Sequence, residues 1–361
     1  MTREEELEIR MVSEGKGCIL DVSLIEHNRF FAMFEDDGKN LCSRVTKGEV
    51  HFNIIDCWEP NACAAYSLNT VVVFRGMLEA IFAIGARIVD NGIFPELGNI
   101  EETCPSSQPG ASWMTKRELL NSLPHFSYDQ AEHSWIGVPE RDALFMFLAN
   151  TLFRFVVFHE LGHIFNEHGK RGDSPSFFEF DEMVAEDRSG NVDSQAREII
   201  ADTFAFQKLV EYQHRHLRTM VLFGNPVAKL LSDHFMRSEE DLVIFVAKMT
   251  YVYFYMMESP GWAQREPAQW SHPPAQFRLQ AILATLMEHS LLSIPKERMP
   301  EIVSRCLTDG PSITAAMFNM ESELTWMQVI SGRKYSDHYQ ALFAVMPRWY
   351  SASENRWSEE Q

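Results

Sequence analysis

Paired cysteines are missing from this sequence. Its six cysteines, Cys18, Cys42, Cys57, Cys63, Cys104 and Cys306, are scattered and form no C-x-x-C pair. That argues against a disulfide frame or a cysteine zinc site and fits reduced thiols in a cytoplasmic protein. Basic residues are scarce as well: 32 Lys and Arg stand against 51 Asp and Glu, a net charge of −19. Such a chain is not expected to take nucleic acid or an anionic membrane surface as its main partner. No uninterrupted membrane-length apolar run is present. Val71 to Phe94 is broken by Arg75, Glu79, Arg87 and Asp90, and Ala143 to Phe158 carries Arg154 and is too short to span. Met1-Thr2-Arg3-Glu4-Glu5-Glu6 contains no apolar signal-peptide core. A soluble, cytoplasmic protein is expected.

What is present begins with size. At 361 residues and 45% hydrophobic, the chain can bury one large core or two ordinary ones. The segment Phe158-His159-Glu160-Leu161-Gly162-His163-Ile164 reads H-E-x-x-H. On a helix, residues four apart share a face, so His159 and His163 can offer two imidazoles to one cation. Glu160 sits one position round, within reach of a metal-bound water whose pKa zinc lowers to about 7. The run from Leu144 to Phe158 is apolar on nearly every face, interrupted mainly by Asn150 and Arg154. Such a helix belongs in the middle of a domain. It is expected over about 139 to 168, from Pro139-Glu140 to a stop at Gly169. Two histidines and a glutamate buried there are costly without a partner, and Zn²⁺ is the natural one.

A second helix is expected from Asp193-Ser194 to about Arg218. Glu198 and Asp202 lie four apart on it. If it crosses the first helix at the metal, Glu198 completes a His-His-Glu ligand set, with water in the fourth position. Asp202 can then fix the tautomer of a ligating histidine, His159 foremost. The plainer reading is a solvated acidic stripe, but the flanking Phe204, Ala205 and Phe206 leave it narrow. Glu182 and Glu186 are the next candidates for the third ligand. Further on, His272-Pro273-Pro274 places a histidine at the N-terminal edge of a helix, where it can donate a hydrogen bond to a tetrahedral oxyanion.

Elsewhere the pattern is coarser. Val50 to Ile55 and Thr70 to Phe74 read as strands, and Arg75-Gly76-Met77-Leu78-Glu79 opens a helix to about Val89. Residues 91 to 138 read as an irregular insertion or lid-like connection. Gly172 to Asp193 carries seven acids against one base and reads as a solvated loop or a flap. His168 reads as the polar end of the first metal helix, and His214 and His216 lie beyond the second. The fold class is α+β and mostly helical, with a small sheet. The expected division is an N-terminal region over 1–138, a catalytic core over 139–295 and a C-terminal helical region over 296–361.

Three separated stretches carry a resemblance. The chain resembles the gluzincin metallopeptidases, and within them the HtpX and CAAX-prenyl-protease family. His159-Glu160-Leu161-Gly162-His163 is similar to the family's H-E-x-G-H. Glu198-Ile199-Ile200-Ala201-Asp202 is similar to its E-x-x-A-D, and His272-Pro273 with Arg278 to its H-P-x-x-x-x-R. A looser likeness joins Asn61-Ala62, the Val71 to Phe74 run and Arg75-Gly76-Met77-Leu78 to its substrate-pairing edge strand and following helix. The resemblance implies a zincin-like fold with His159, His163 and Glu198 on zinc and Glu160 as general base. It further implies Asp202 behind the ligands, His272 as a transition-state stabiliser, and Arg278 as a structural tie between helices. Family members are often membrane-anchored, and their gap before the zinc helix is shorter than the roughly 60 residues here. The expected function is that of a soluble zinc endopeptidase acting on a protein or peptide. Two alternatives are a regulatory peptidase with a single target and a catalytically idle, zinc-stabilised binding protein.

Overall fold

The computed structural model describes residues 1–25, 28–97, 133–170, 178–180, 192–258, 261–270 and 272–351. It is mostly helical, with one small mixed sheet. The expected 91–138 insertion therefore lies largely outside the described residues, as do Cys104 and most of the acidic stretch with Glu182 and Glu186.

Helix α1 (Arg3–Ser13) opens with a reciprocal cap between Thr2 and Glu5. Helix α2 (Asn28–Thr46) leads into strands β1 (His51–Ile55), β2 (Ala62–Ala65) and β3 (Thr70–Phe74). Helix α3 (Arg75–Asp90) follows directly. Its start passes beneath the β1–β2 connection, where a Cβ on Gly76 would meet the Trp58 carbonyl oxygen at 2.1 Å. Only glycine allows that approach.

The sheet order is β1-β3-β2-β4, with β4 at Phe178–Phe180. β3 runs parallel to β1 and antiparallel to β2, and β2 pairs antiparallel with β4. Alternation divides the two faces. Ala62, Ala64, Val71 and Val73 join the main core, whereas Cys63, Ala65, Val72 and Phe74 pack with Leu7 and Met11 of α1. Both faces are covered, which explains why every residue of β3 is buried. The Val71 to Phe74 run is therefore an interior strand and not the expected edge. β2 is a further strand that β-propensity does not signal, since Ala-Cys-Ala-Ala is poor in branched and aromatic residues.

Helix α4 (Pro139–Phe165) is the central element, buried on all faces between α3, α5, α7 and the sheet. By length and composition it is apolar enough to cross a membrane, and 89% of its most apolar window is buried inside the protein. It is longer than the apolar run alone suggests. It ends at Phe165 with Asn166 as C-cap, not at Gly169, whose place is dictated by close packing on the Tyr66 ring. Its buried Arg154 and Thr151 are both engaged. Arg154 makes a two-pronged pair with Asp37 of α2 at 2.9 and 3.0 Å, and Thr151 accepts from Gln213 at 2.9 Å. Burial without such partners is costly.

The remaining helices are α5 (Val192–Leu222), α6 (Pro226–Phe235), α7 (Glu239–Met256), α8 (Ala275–Glu288), α9 (Met299–Phe318) and α10 (Arg333–Val345). One apolar cluster runs through the chain from Leu20 to Trp326. A smaller one joins Ala196, Ile199 and Ile200 of α5 to Phe277 of α8 and Leu342 of α10.

Candidate metal centre

The site is made where α4 and α5 cross, and small residues set how closely they do so. A Cβ on Gly162 would stand 3.0 Å from Ala201 Cα and 3.1 Å from Phe204 Cδ1. Glycine facing alanine thus brings the two backbones close enough for side chains from both helices to meet.

Ligand-type atoms of three residues converge beside that crossing. His159 Nε2 and His163 Nε2 lie 3.1 Å apart. Glu198 places Oε2 at 3.4 Å from the first and Oε1 at 3.3 Å from the second. All three residues are buried, and among the described residues they form the one group suited to a metal ion. Two ligand atoms held at about 2.05 Å from a tetrahedral centre are separated by about 3.3 Å. The spacings of 3.1, 3.3 and 3.4 Å, the last two to different oxygens of one carboxylate, are those of groups gathered round one such centre. Glu198 Oε2 is moreover buried without a hydrogen bond, which a bound cation would satisfy. The donor set fits a divalent cation of the imidazole- and carboxylate-binding kind, zinc among them.

Behind these groups is a second rank of charge. His159 Nδ1 stands 2.9 Å from Asp202 Oδ1. Arg278 of α8 donates to both Asp202 oxygens, at 2.7 and 2.8 Å, and its Nη2 lies 3.5 Å from Glu198 Oε2. Arg278 thus ties α8 to α5. Burial lowers the His159 pKa, but the Asp202 charge, with the Glu198 carboxylate close by on the other side of the ring, reverses this and pushes it up to about 9. Burial likewise opposes ionisation of Glu198, yet His163 and His272 outweigh it and hold the carboxyl well below its usual range. Burial also works against ionised Asp202, where Arg278 and then His159 prevail.

His272 belongs to the same neighbourhood, its Nε2 3.8 Å from Glu198 Oε1. The loop bearing it is fastened to α5 by Gln195, one turn before Glu198. Gln195 Nε2 donates to the Pro267 and Trp270 carbonyls at 3.1 and 2.8 Å. Pro274 is the N-cap of α8, so His272 stands two positions before the cap and both prolines precede the helix instead of opening its first turn. Glu160 is buried on α4. Its charge, after burial itself, pushes the Cys63 thiol upward, which puts β2 beside the site.

Two features escape a helical reading of the sequence. His168 is not a polar helix end: it is fully buried, with Nδ1 2.9 Å from His163 Nδ1. Glu167 makes the turn with a positive φ of 55°, which returns the chain toward the helix. A spacing of five residues lies off the face of His163, so no periodic signal marks it. The second feature is β4, which pairs Cys63 with Phe180, Ala64 with Glu179 and Ala65 with Phe178. An added strand can reach β2 only by displacing it. His214 and His216 lie on α5 itself and not beyond it as expected; they stand apart from the His159, His163 and Glu198 group and line a cavity on another face of the helix.

No protein family, no curated protein and no solved structure matches this chain.

Proposed function

We propose that the chain is a zinc-dependent endopeptidase of the gluzincin type, with a zincin-like core. His159, His163 and Glu198 would hold the ion. The observation that carries this reading is the convergence of the two imidazole Nε2 atoms, 3.1 Å apart, on the Glu198 carboxylate, whose two oxygens lie 3.3 and 3.4 Å from them. When bound, zinc supplies Lewis-acid polarisation of a carbonyl and a water acidic enough to ionise near neutrality.

The protein's own groups do the rest. Glu160, next to the first ligand on α4, accepts the proton of the attacking water and returns it to the leaving amine. Asp202 holds His159 in the tautomer that directs Nε2 inward, and Arg278 keeps Asp202 ionised and in place. His272, pinned through the Gln195-anchored loop, faces the ligand cluster as a donor to a developing oxyanion. A ligand group of three among the described residues suits catalysis better than a structural site, which closes all four positions.

The pairing of β4 with β2 favours a narrow target range, as in the single-target alternative. An extended peptide must displace a strand of the chain itself before pairing there.

The test compares new protein N-termini in lysate exposed to wild type and to Glu160→Gln. Termini formed only by wild type, with one zinc retained by the variant, are expected. Full cleavage by Glu160→Gln would remove the proposal.

A further inference from the structure

The two imidazoles of α4 face different groups with their far nitrogens. His159 Nδ1 meets the Asp202 carboxylate at 2.9 Å. His163 Nδ1 meets another imidazole: His168 Nδ1 stands 2.9 Å away, with 5.0 Å between ring centroids and 77° between planes. His168 is fully buried. A hydrogen bond between two ring nitrogens needs one N–H and one lone pair, so the two rings take opposite roles at these atoms.

The chain does not bring His168 there by continuing its helix. α4 ends at Phe165, and its C-cap Asn166 donates from Nδ2 to the Gly162 carbonyl at 2.8 Å. Glu167 then takes a positive φ of 55°, which a residue with a side chain rarely adopts. Gly169 lies so close to Tyr66 that a Cβ would meet its Cδ2 at 1.9 Å. Distant segments hold the turn. Arg197, one position before Glu198, donates to the His168 carbonyl at 3.3 Å and lies 5.0 Å from the Trp349 ring centroid. Trp349 meets the His168 ring edge-to-face at 6.2 Å, and Ser351 donates its backbone N–H to Asn166 Oδ1 at 2.9 Å. A packing role alone would explain the burial of His168, but not a ring nitrogen aimed at the far nitrogen of His163.

We infer that His168 is a positioning residue for His163, accepting the proton of its Nδ1 so that Nε2 keeps its lone pair for a cation. The inference rests on the metal site proposed above. A neutral imidazole that offers Nε2 to a metal carries its proton on Nδ1. His168 Nδ1 is then the acceptor, and the proton of His168 sits on Nε2. His168 does for His163 what Asp202 does for His159, but without charge. A neutral partner adds no negative charge to a site that already holds Glu198 and Asp202. The two ligands are thus backed unequally, one by a carboxylate and one by a neutral ring.

Two measurements on the full chain test this, and neither depends on peptidase activity. Proton–nitrogen correlation spectra of zinc-loaded wild type, labelled at histidine, are expected to show His163 protonated at Nδ1 and His168 at Nε2. His168 protonated at Nδ1 overturns the inference. Chelator competition then gives the zinc Kd of wild type, His168→Phe and His168→Asn, with melting in EDTA as the check that each variant folds. Phenylalanine keeps a ring without the acceptor and should weaken zinc about 10- to 100-fold. Asparagine returns an acceptor oxygen near the Nδ1 position and should recover most of that loss. Wild-type affinity in His168→Phe, or an equal loss in both variants, overturns the positioning role while the ligand set stands. Absence of zinc binding by wild type itself removes the metal site, and the inference with it. Should a variant fail to fold, the wild-type tautomers decide.

Discussion

Asp202→Asn separates the carboxylate that steers His159 from the packing around it. The substitution keeps shape and removes charge. Asp202 now faces His159 Nδ1 at 2.9 Å and both donors of Arg278 at 2.7 and 2.8 Å. An amide oxygen can serve one of these partners well, but not both. Loss of such an outer partner typically weakens metal binding about 10- to 100-fold. With free zinc at 100 times the wild-type Kd, binding stabilises wild type by about 2.7 kcal/mol and the variant by only about 0.4 to 1.4 kcal/mol. For 361 residues, an unfolding entropy of about 0.76 kcal/mol/K converts these to zinc-induced melting shifts of about 3.5 °C and about 0.5–2 °C. Weakening the Asp202–Arg278 pair also lowers stability by about 2–4 kcal/mol, with and without zinc, so it cancels in the increment. The assay is thermal unfolding at matched free zinc, with a chelator competition giving Kd directly. A variant with the wild-type increment would mean that Asp202 serves Arg278 alone and does not orient His159.

Gly162→Ala is expected to cost about 1–3 kcal/mol in urea unfolding, because its Cβ would meet the Ala201 backbone at 3.0 Å, and to weaken zinc binding as α4 and α5 part. An unchanged zinc affinity would show that the crossing distance does not set the ligand spacing. Glu79 supplies a pH test. Burial raises its pKa from 4.5 to about 7 despite Arg75. The folded chain therefore binds more protons than the unfolded one between those values, and this group's contribution falls as pH rises from 4.5 through 7. Glu79→Gln should stabilise the protein at pH 8 by about 1–3 kcal/mol relative to its effect at pH 5. An offset equal at both pH values in urea unfolding would contradict the assignment.

How much of this was legible beforehand differs from element to element. The strands His51–Ile55 and Thr70–Phe74 and helix α3 are marked by branched residues and a change of period. β2 is not, because its alanines are strand-like only by virtue of the sheet on one side and α4 on the other. The edge role expected of Val71 to Phe74 failed for a related reason. Which strand stands at the edge depends on pairing order, and pairing between distant segments leaves no local trace.

For the site, sequence by itself determined the chemistry within each helix. His159 and His163 share a face because they are four apart, and Glu198 and Asp202 do so for the same reason. Helical geometry is local, so spacing suffices. Tertiary structure alone decided what meets across helices. It set Glu198 against both imidazoles, joined Asp202 to His159 and Arg278, and returned His168 to His163 through a left-handed residue. It also set His214 and His216 in the wall of a separate cavity. These contacts arise from how closely Gly162 lets α4 approach Ala201 and from where loops re-enter, and no short window of sequence contains that information.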